Sequence, residues 1–319
     1  MEQYIATHTD ITEWNKKMYS STGGTRAKNI YVNPEDFKEY FFKGSKKMAD
    51  GTFKYTSEFW SEIVASKVGQ WLGFNVLDYN IGFDLNDEQQ IGCLSKSMID
   101  YSENLLSEGI AYLSGHDPKY NPETDESKYT FNFIQEALNG FTLSAHKEKF
   151  IQMLIFDSII GNSDRHQENW GFITKFKETI EELDNQIATK NSIGKIFSKF
   201  KKGLAQSLSD ETKRSNNPNL LRTTGLLAKT DFSPIYDSGC CLGRELLDDR
   251  IELYLKDEQA IKSYILRGRS EVRWIEGKKP KHFELLVNLY NLYPKVFQEV
   301  KGNILKEYSK EKLDILINN

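Results

Sequence analysis

The stretch IIGNSDRHQENWGF, residues 159–172, places a cluster of polar side chains between two apolar runs. Asp164 and Asn169 lie five residues apart in it, on a predicted loop that follows a buried helix and precedes the strand-like WGFIT. Phosphoryl transfer needs an acidic group that accepts or orients the proton of the nucleophile, and an amide oxygen nearby that holds a metal ion bridging the phosphates. One short loop can supply both groups, although this spacing alone is also typical of residues that cap turns.

The predicted secondary structure before this loop changes near residue 100 from mostly strands to mostly helices. Before it, Ile30–Val32 and Tyr40–Lys43 are predicted to be paired strands, and residues 59–74 carry apolar side chains at helical spacing. Two further strands are predicted within NVLDYNIGF and IGCLSKSMI. Beyond that point the pattern becomes helical, and the run Phe150–Ile160, apolar on nearly every face, predicts a helix buried on all sides.

The predicted fold class is α+β, with a small β-rich N-lobe and a larger helical C-lobe. At 319 residues the chain exceeds the roughly 250 to 300 at which single cores tend to divide. We therefore expect an N-lobe of residues 1–100, a C-lobe of residues 101–319 and a cleft between them, with the boundary between Ile99 and Gly109.

Composition narrows the classes of function. A net charge of −4 and a pI of about 5.9 argue against a general nucleic-acid binder, so no direct nucleic-acid contact is expected. The three cysteines lack zinc-ligand spacing, so no structural metal is expected. Adjacent cysteines such as Cys240 and Cys241 rarely bridge each other, which favours a reducing, cytosolic setting. No signal pattern or apolar run of about 18 residues is present, so no transmembrane segment is expected. A cytoplasmic location is expected, with export as an effector left open.

Three motifs resemble those of the HipA-like kinases. IGNSDRHQENWGF is similar to their catalytic loop, I-G-N-x-D-R-H-x-x-N, whose core also resembles that of phosphatidylinositol kinases, and protein kinases use the same Asp-to-Asn interval. Upstream, YSSTGGTRAKNIYV resembles the family's glycine-rich loop, with Thr25, Arg26 and Ala27 in place of Ala-Arg-Pro. Downstream, FSPIYDSGCCLG resembles the metal-binding segment. The motifs span residues 20–239 in the family's order, and the resemblance implies a protein-kinase-like, two-lobed fold.

The resemblance assigns roles to individual residues. Asp164 is expected to be the catalytic base, and Asn169 and Asp237 are expected to hold Mg²⁺. Lys43 is expected to contact the α- and β-phosphates of ATP, because it lies on a predicted strand whereas Lys46 and Lys47 do not. Glu62 is expected to pair with Lys43, and Glu58, one helical turn earlier, is the alternative.

Further ATP contacts are expected from the glycine-rich loop, from the hinge between the lobes and from the catalytic loop. The residues are Ser21, Thr22, Gly23, Gly24, Met98, Ile99 and His166. His166 is expected to orient its loop by bonding to the backbone or to Asp237. The family also phosphorylates a serine in its own glycine-rich loop, which implies self-phosphorylation at Ser20, Ser21 or Thr22.

Several nearby residues are expected to support the structure. Arg165 should neutralise local carboxylates, Asn162 should hold the turn, and Asp157 should need a partner because it interrupts the buried helix. Cys240 and Cys241 are predicted to be small core residues.

One segment, at about residues 176–230, exceeds what a kinase-like fold needs at this position. Its residues 193–204 form a basic amphipathic pattern, with an apolar stripe of Ile193, Ile196, Phe197, Phe200 and Leu204. Such a helix can contact an acidic partner, a membrane surface or the protein's own cleft, or it can pack on the C-lobe. The following SDETKRSNNPN is predicted to be a flexible loop.

The predicted function is a HipA-like kinase that uses ATP and Mg²⁺ to phosphorylate Ser or Thr of a protein substrate. The resemblance implies a toxin with a separately encoded antitoxin, or an effector. An inositol-lipid or small-molecule kinase of the same fold, and a non-catalytic nucleotide-binding scaffold, are the alternatives.

Overall fold

The structure is a computed structural model that describes residues 7–17, 29–56, 58–100, 102–189, 192–212 and 218–318. The strands are β1 His8–Asp10, β2 Asn15–Lys16, β3 Asn29–Val32, β4 Glu39–Lys43, β5 Lys46–Lys47, β6 Phe53–Lys54, β7 Asn80–Phe83, β8 Ile91–Lys96, β9 Asn104–Glu108, β10 Gly171–Lys175 and β11 Lys229–Phe232. The helices are α1 Glu58–Trp71, α2 Gly109–His116, α3 Phe131–Gly140, α4 Lys147–Ile160, α5 Phe176–Thr189, α6 Ser192–Thr212, α7 Pro218–Leu227, α8 Asp248–Lys256, α9 Glu258–Ile265, α10 His282–Leu292, α11 Pro294–Glu307 and α12 Lys310–Asn318.

The N-terminal region is a curled six-stranded sheet with the order β1-β7-β8-β4-β3-β2. The predicted pairing of β3 with β4 is confirmed, and β4 also pairs with β8, so Lys43 lies opposite Cys93 at the end of a central strand. Inside the sheet, Tyr31, Phe42 and Leu94 form a small apolar cluster. Helix α1 contacts β8, which places the face that carries its two glutamates near the end of β4.

The larger C-terminal region is built around α4. Eight of its 14 residues are buried and most of these belong to the main apolar core, so a buried helix is confirmed. It is not buried on all sides as predicted, because Ile159 is 42% exposed. Helices α10 and α11 pack against it. It ends at Gly161, whose φ of 70° lies in the left-handed region that glycine adopts without strain. The chain therefore leaves the core abruptly at the polar loop.

A second sheet, of three strands, lies within the region that was expected to be helical. Its order is β11-β10-β9, and all pairs are antiparallel. The prediction missed β9 because its sequence, NLLSE, is too short to show a strand period. Since β9 pairs with β10, the strand that follows the polar loop, this sheet connects the end of the hinge to that loop.

The long segment after β10 is a helical insertion in a β-hairpin. Lys175 at the end of β10 lies opposite Lys229 at the start of β11, so the chain leaves and returns at the same place. Helices α5, α6 and α7 lie between these two residues. The prediction that all of SDETKRSNNPN forms a loop is wrong at both ends of this stretch. Helix α6 continues to Thr212, and α7 begins at Pro218. The residues between them lie outside the described ranges.

Helix α6 packs against α5 and α7 through small residues outside the predicted apolar stripe. Within that stripe, the side chains of Ile193 and Phe197 lie outside the described residues. Small residues of α6, including Ser198 and Ala205, are buried, whereas Ile196 and Phe200 are 70% and 68% exposed. Helix α7 contributes Leu221 to the main core. Along the described part of the chain, no helix combines the length and the apolar character needed to cross a bilayer.

Two leucines on α7 test whether the insertion is part of the folded core. Leu221 is 5% exposed and Leu226 is 67% exposed. We expect Leu221→Ala to lower the free energy of unfolding by about 2–4 kcal/mol, because it leaves a cavity, and Leu226→Ala to change it by less than about 0.5 kcal/mol. Urea unfolding of both variants measures this difference. Equal effects would mean that α7 does not pack as described.

Candidate active site

The polar loop after α4 is organised by the buried guanidinium of Arg165. Its Nε and Nη2 donate to the two carboxylate oxygens of Asp157 on α4, at 2.9 and 2.8 Å. Its Nη1 donates to the backbone carbonyls of Asn169 and Tyr236, each at 2.6 Å, and Nη2 also donates to Ser238 Oγ at 3.0 Å. All five guanidinium donors are therefore used, and they join three separate segments of the chain.

The charge on Arg165 is maintained in the interior by its partner. Burial alone would lower the pKa of the guanidinium, but the Asp157 carboxylate and the hydrogen bonds to it raise that pKa above its ordinary value. The same carboxylate accepts from Asn162 Nδ2 at 2.9 Å, and Asn162 Oδ1 accepts from the Asp164 N–H at 3.2 Å. The structural roles predicted for Arg165, Asn162 and Asp157 are confirmed.

Asp164 and Asn169 lie at the two ends of this loop and are joined by a hydrogen bond. Asn169 Nδ2 donates to the backbone carbonyl of Asp164 at 2.8 Å. Because the amide nitrogen is used in this way, Asn169 Oδ1 remains an acceptor that a cation can use. His166 Nδ1 accepts from the Glu168 N–H at 3.3 Å, so this histidine orients the loop through its backbone, one of the two expected contacts.

Lys43 lies between two carboxylates. Its Nζ is 3.0 Å from Glu62 Oε2 and 2.5 Å from Asp237 Oδ1. The end of β4, the helix α1 and the segment after β11 therefore meet at one ammonium group. The predicted pairing of Lys43 with Glu62 is present. The alternative, Glu58, is used elsewhere, since its Oε2 is 3.1 Å from Arg244 Nη1.

Asp237 has an uncommon backbone conformation for a residue with a side chain. Its φ is 53°, in the left-handed region, which costs on the order of 1–3 kcal/mol unless the surroundings hold it. Arg165 holds the preceding carbonyl, and the Asp237 N–H donates to the Tyr79 hydroxyl at 3.4 Å. Strained residues of this kind cluster at functional sites.

The groups around Lys43 are kept neutral by burial. Burial, reinforced by the Glu62 carboxylate, raises the pKa of both the Tyr79 phenol and the Cys93 thiol well above their ordinary values. Cys93 Sγ is 3.7 Å from Glu62 Oε2. These two side chains therefore add no negative charge to the site near pH 7, and its negative charge comes from the carboxylates.

A Mg²⁺ ion fits the donor set of this site. Within the described ranges, no group of three or more His, Cys, Asp or Glu side chains could hold a metal by itself. Mg²⁺ is usually held by one or two carboxylates together with the phosphates of its substrate. The Asp237 carboxylate and the Asn169 amide oxygen are donors of that kind, and Arg165 Nη1 draws together the carbonyls of Asn169 and of the residue before Asp237.

The remaining predicted residues are placed as follows. Met98 and Ile99 are half-buried in the connection between β8 and β9, where the Ile99 carbonyl accepts from Ser97 Oγ at 2.8 Å. The glycine-rich loop, with Ser21, Thr22, Gly23 and Gly24, lies outside the described residues.

The sequence did not indicate every residue that contacts the site. Cys240 was expected in the core, but it is half-buried and its Sγ is 3.2 Å from Asp164 Oδ2, whereas Cys241 is buried as expected. Arg244 donates to this thiol, and Tyr79 contacts Asp237. The signal that could have found Arg244 is its position seven residues after Asp237, as a cation close to a predicted metal ligand.

The curled sheet, the helical C-terminal region and the polar loop define a kinase-like α+β fold. The protein is similar in structure to the proinflammatory kinase CtkA of Helicobacter pylori, with a TM-score of 0.68 over 98% of this chain and 87% of that chain. The two sequences are 18% identical, so the likeness establishes the fold alone. The sequence matches no protein-family model and no curated protein.

The Arg165–Asp157 pair provides a test of this organisation. We expect Arg165→Met to lower the free energy of unfolding by about 3–5 kcal/mol, because it leaves the Asp157 carboxylate buried without a counter-charge. The double variant Asp157→Asn/Arg165→Met should lose less than the sum of the two single variants. Chemical unfolding measures both quantities.

The exposed pair Lys47–Glu88 is the control for this test. Its removal by Lys47→Met should cost less than about 1 kcal/mol. A cost of that size for Arg165→Met as well would contradict the central role of this guanidinium.

Proposed function

We propose that the protein is a HipA-like kinase that transfers the γ-phosphate of ATP, in the presence of Mg²⁺, to a Ser or Thr hydroxyl of a protein. The convergence of Lys43, Asp237 and the Asp164–Asn169 loop carries this proposal. Lys43 Nζ contacts Asp237 directly, and one nitrogen of Arg165 binds both the Asn169 carbonyl and the carbonyl next to Asp237. A cation for phosphates, two metal ligands and a base are the parts that phosphoryl transfer requires.

Each side chain has a distinct part in the proposed reaction. Lys43 binds the α- and β-phosphates, and Glu62 orients its ammonium group. Asp164 orients the acceptor hydroxyl and takes its proton as the oxygen bonds to the γ-phosphorus and the bond to ADP breaks. Asn169 and Asp237 hold Mg²⁺, which when bound neutralises charge on the phosphates.

A protein is the preferred acceptor because the three motifs resemble those of HipA-like kinases. By the same resemblance, we include in the proposal a toxin or effector role with a separately encoded antitoxin. An inositol lipid is the second candidate acceptor. It is favoured by the exposed Ile196 and Phe200 on α6, which lie beside the exposed Lys195 and Lys199, since such a face suits an anionic membrane.

Two aspartate variants test the assigned roles. We expect Asp164→Asn and Asp237→Asn each to reduce phosphate transfer by far more than tenfold, without loss of cooperative unfolding. Asp237→Asn should also weaken Mg²⁺-dependent ATP binding, because it removes a ligand of the metal, whereas Asp164→Asn should bind ATP nearly normally. Calorimetric ATP binding and labelled-phosphate transfer separate the two effects.

Asp231→Asn is the matched control, because Asp231 lies six residues before Asp237 and pairs with Lys175 outside the site. It should leave transfer unchanged. If Asp164→Asn or Asp237→Asn keeps more than about a tenth of wild-type turnover, a cost under roughly 1.4 kcal/mol, the role assigned to that residue is wrong.

Self-phosphorylation is a further expectation of this function. Ser20, Ser21 and Thr22 lie in the glycine-rich loop, where an added phosphate of about −1.5 to −2 charges would repel ATP. Peptide mass spectrometry after incubation with ATP and Mg²⁺ should find phosphate in residues 20–22 of the wild type but not of Asp164→Asn. Phosphate absent from both, or equal in both, contradicts self-regulation of this form.

A further inference from the structure

The carboxylate of the proposed base is in contact with a thiol. Cys240 Sγ lies 3.2 Å from Asp164 Oδ2, and Arg244 Nη2 lies 2.8 Å from the same sulfur. An arginine only donates hydrogen bonds and an ionised carboxylate only accepts them. The thiol therefore accepts from Arg244, and its S–H donates to a carboxylate. Asp164 Oδ2 is the nearer acceptor, at 3.2 Å from the sulfur, whereas Glu58 Oε1 lies at 3.7 Å.

Arg244 is itself held from the other side. Its Nη1 is 3.1 Å from Glu58 Oε2, and its guanidinium carbon lies 4.1 Å from the centre of the Tyr55 ring. Glu58 is 1% exposed, so this ion pair is shielded from solvent and its geometry is confined. The position of the Arg244 guanidinium is therefore set by the start of α1 and by the residues just before it.

The same helix also orients Lys43. Glu58 and Glu62 are four residues apart on α1 and lie on one face, one helical turn from each other. Glu62 contacts Lys43, the proposed phosphate ligand, while Glu58 contacts Arg244. Helix α1 thus contacts both Lys43, which would bind ATP, and Arg244, which contacts Asp164 through the Cys240 thiol.

We propose that Cys240 and Arg244 are positioning residues for the base, and that they hold the Asp164 carboxylate in its working orientation from a fixed point on α1. The thiol occupies Oδ2, and no described residue donates to Oδ1, which is left to take the proton of the acceptor hydroxyl. This inference rests on the proposed function, because it assigns to Cys240 and Arg244 a role in the same reaction.

Substitutions at Cys240 test the hydrogen bond separately from the packing. Cys240→Ala removes the donor, and Cys240→Ser keeps a donor of similar size. We expect Cys240→Ala to lower kcat about tenfold while KM for ATP stays within about twofold, because a misplaced base slows transfer without affecting phosphate binding. Cys240→Ser should keep kcat within about twofold of the wild type.

Arg244 requires a variant that does not leave a buried charge alone. The pair Glu58→Gln/Arg244→Met removes both charges, and it should lower kcat to the same extent as Cys240→Ala, with no further loss when the two are combined. Arg222→Met is the matched control. Arg222 also contacts an aromatic ring, that of Phe141, and donates to a backbone carbonyl, but it lies in the insertion, so kcat should be unchanged.

A second measurement does not depend on turnover. Amide hydrogen exchange of residues 162–169 in the nucleotide-free protein should be faster in Cys240→Ala, and unchanged in Cys240→Ser and Arg222→Met. If the wild type transfers no phosphate, the proposed function fails, yet exchange still decides whether Cys240 holds the loop. Equal exchange in the wild type and Cys240→Ala overturns the positioning role. The positioning role is also overturned if kcat of Cys240→Ser is as low as that of Cys240→Ala, or if KM for ATP rises in Cys240→Ala together with the fall in kcat.

Discussion

The site depends on one buried ion pair, that of Arg165 with Asp157. The guanidinium binds α4, the end of the polar loop and the segment after β11, and each of its five donors has an acceptor. A buried pair of this kind contributes little net stability, because removing two charges from water costs almost as much as their attraction gains. Its effect is geometric: Arg165 Nη1 binds the carbonyls of Asn169 and Tyr236, which brings Asn169 close to the residue that precedes Asp237.

The charged groups around this pair leave a net negative charge. Five carboxylates, those of Glu58, Glu62, Asp157, Asp164 and Asp237, face three cations, Lys43, Arg165 and Arg244. Among these described groups the balance is two negative charges, which a divalent ion can neutralise. Lys43 is shared between two carboxylates, so a bound phosphate would compete with Asp237 for its ammonium group.

Local sequence patterns were sufficient for much of the fold. The period of α1, the uniformly apolar α4 and the β3–β4 pair follow from residues close together in the chain. Strand β9 could not be predicted because its five residues carry no period and form a strand only through pairing with β10. The burial of the small residues of α6 depends in the same way on α5, which is adjacent to it in space.

The sequence predicted the site residues that lie within a single motif, but not the contacts between residues far apart in the chain. Glu58 and Glu62 lie on the same face of α1, so helical spacing alone could not determine which of them pairs with Lys43. In the structure Glu58 pairs with Arg244, which is distant in sequence, and Glu62 pairs with Lys43. Cys240 was likewise assigned to the core because its neighbour Asp164 is distant in sequence.

The most direct test of the proposed activity is transfer of label from ATP carrying a radioactive γ-phosphate into a whole-cell lysate, with the protein and lipid fractions counted separately. We expect Mg²⁺-dependent label in the protein fraction with the wild-type chain, and none above background with Asp164→Asn. Label confined to lipid would assign the acceptor to the second candidate. No transfer to either fraction, or equal transfer by Asp164→Asn, would contradict the proposal that this site is a kinase active site.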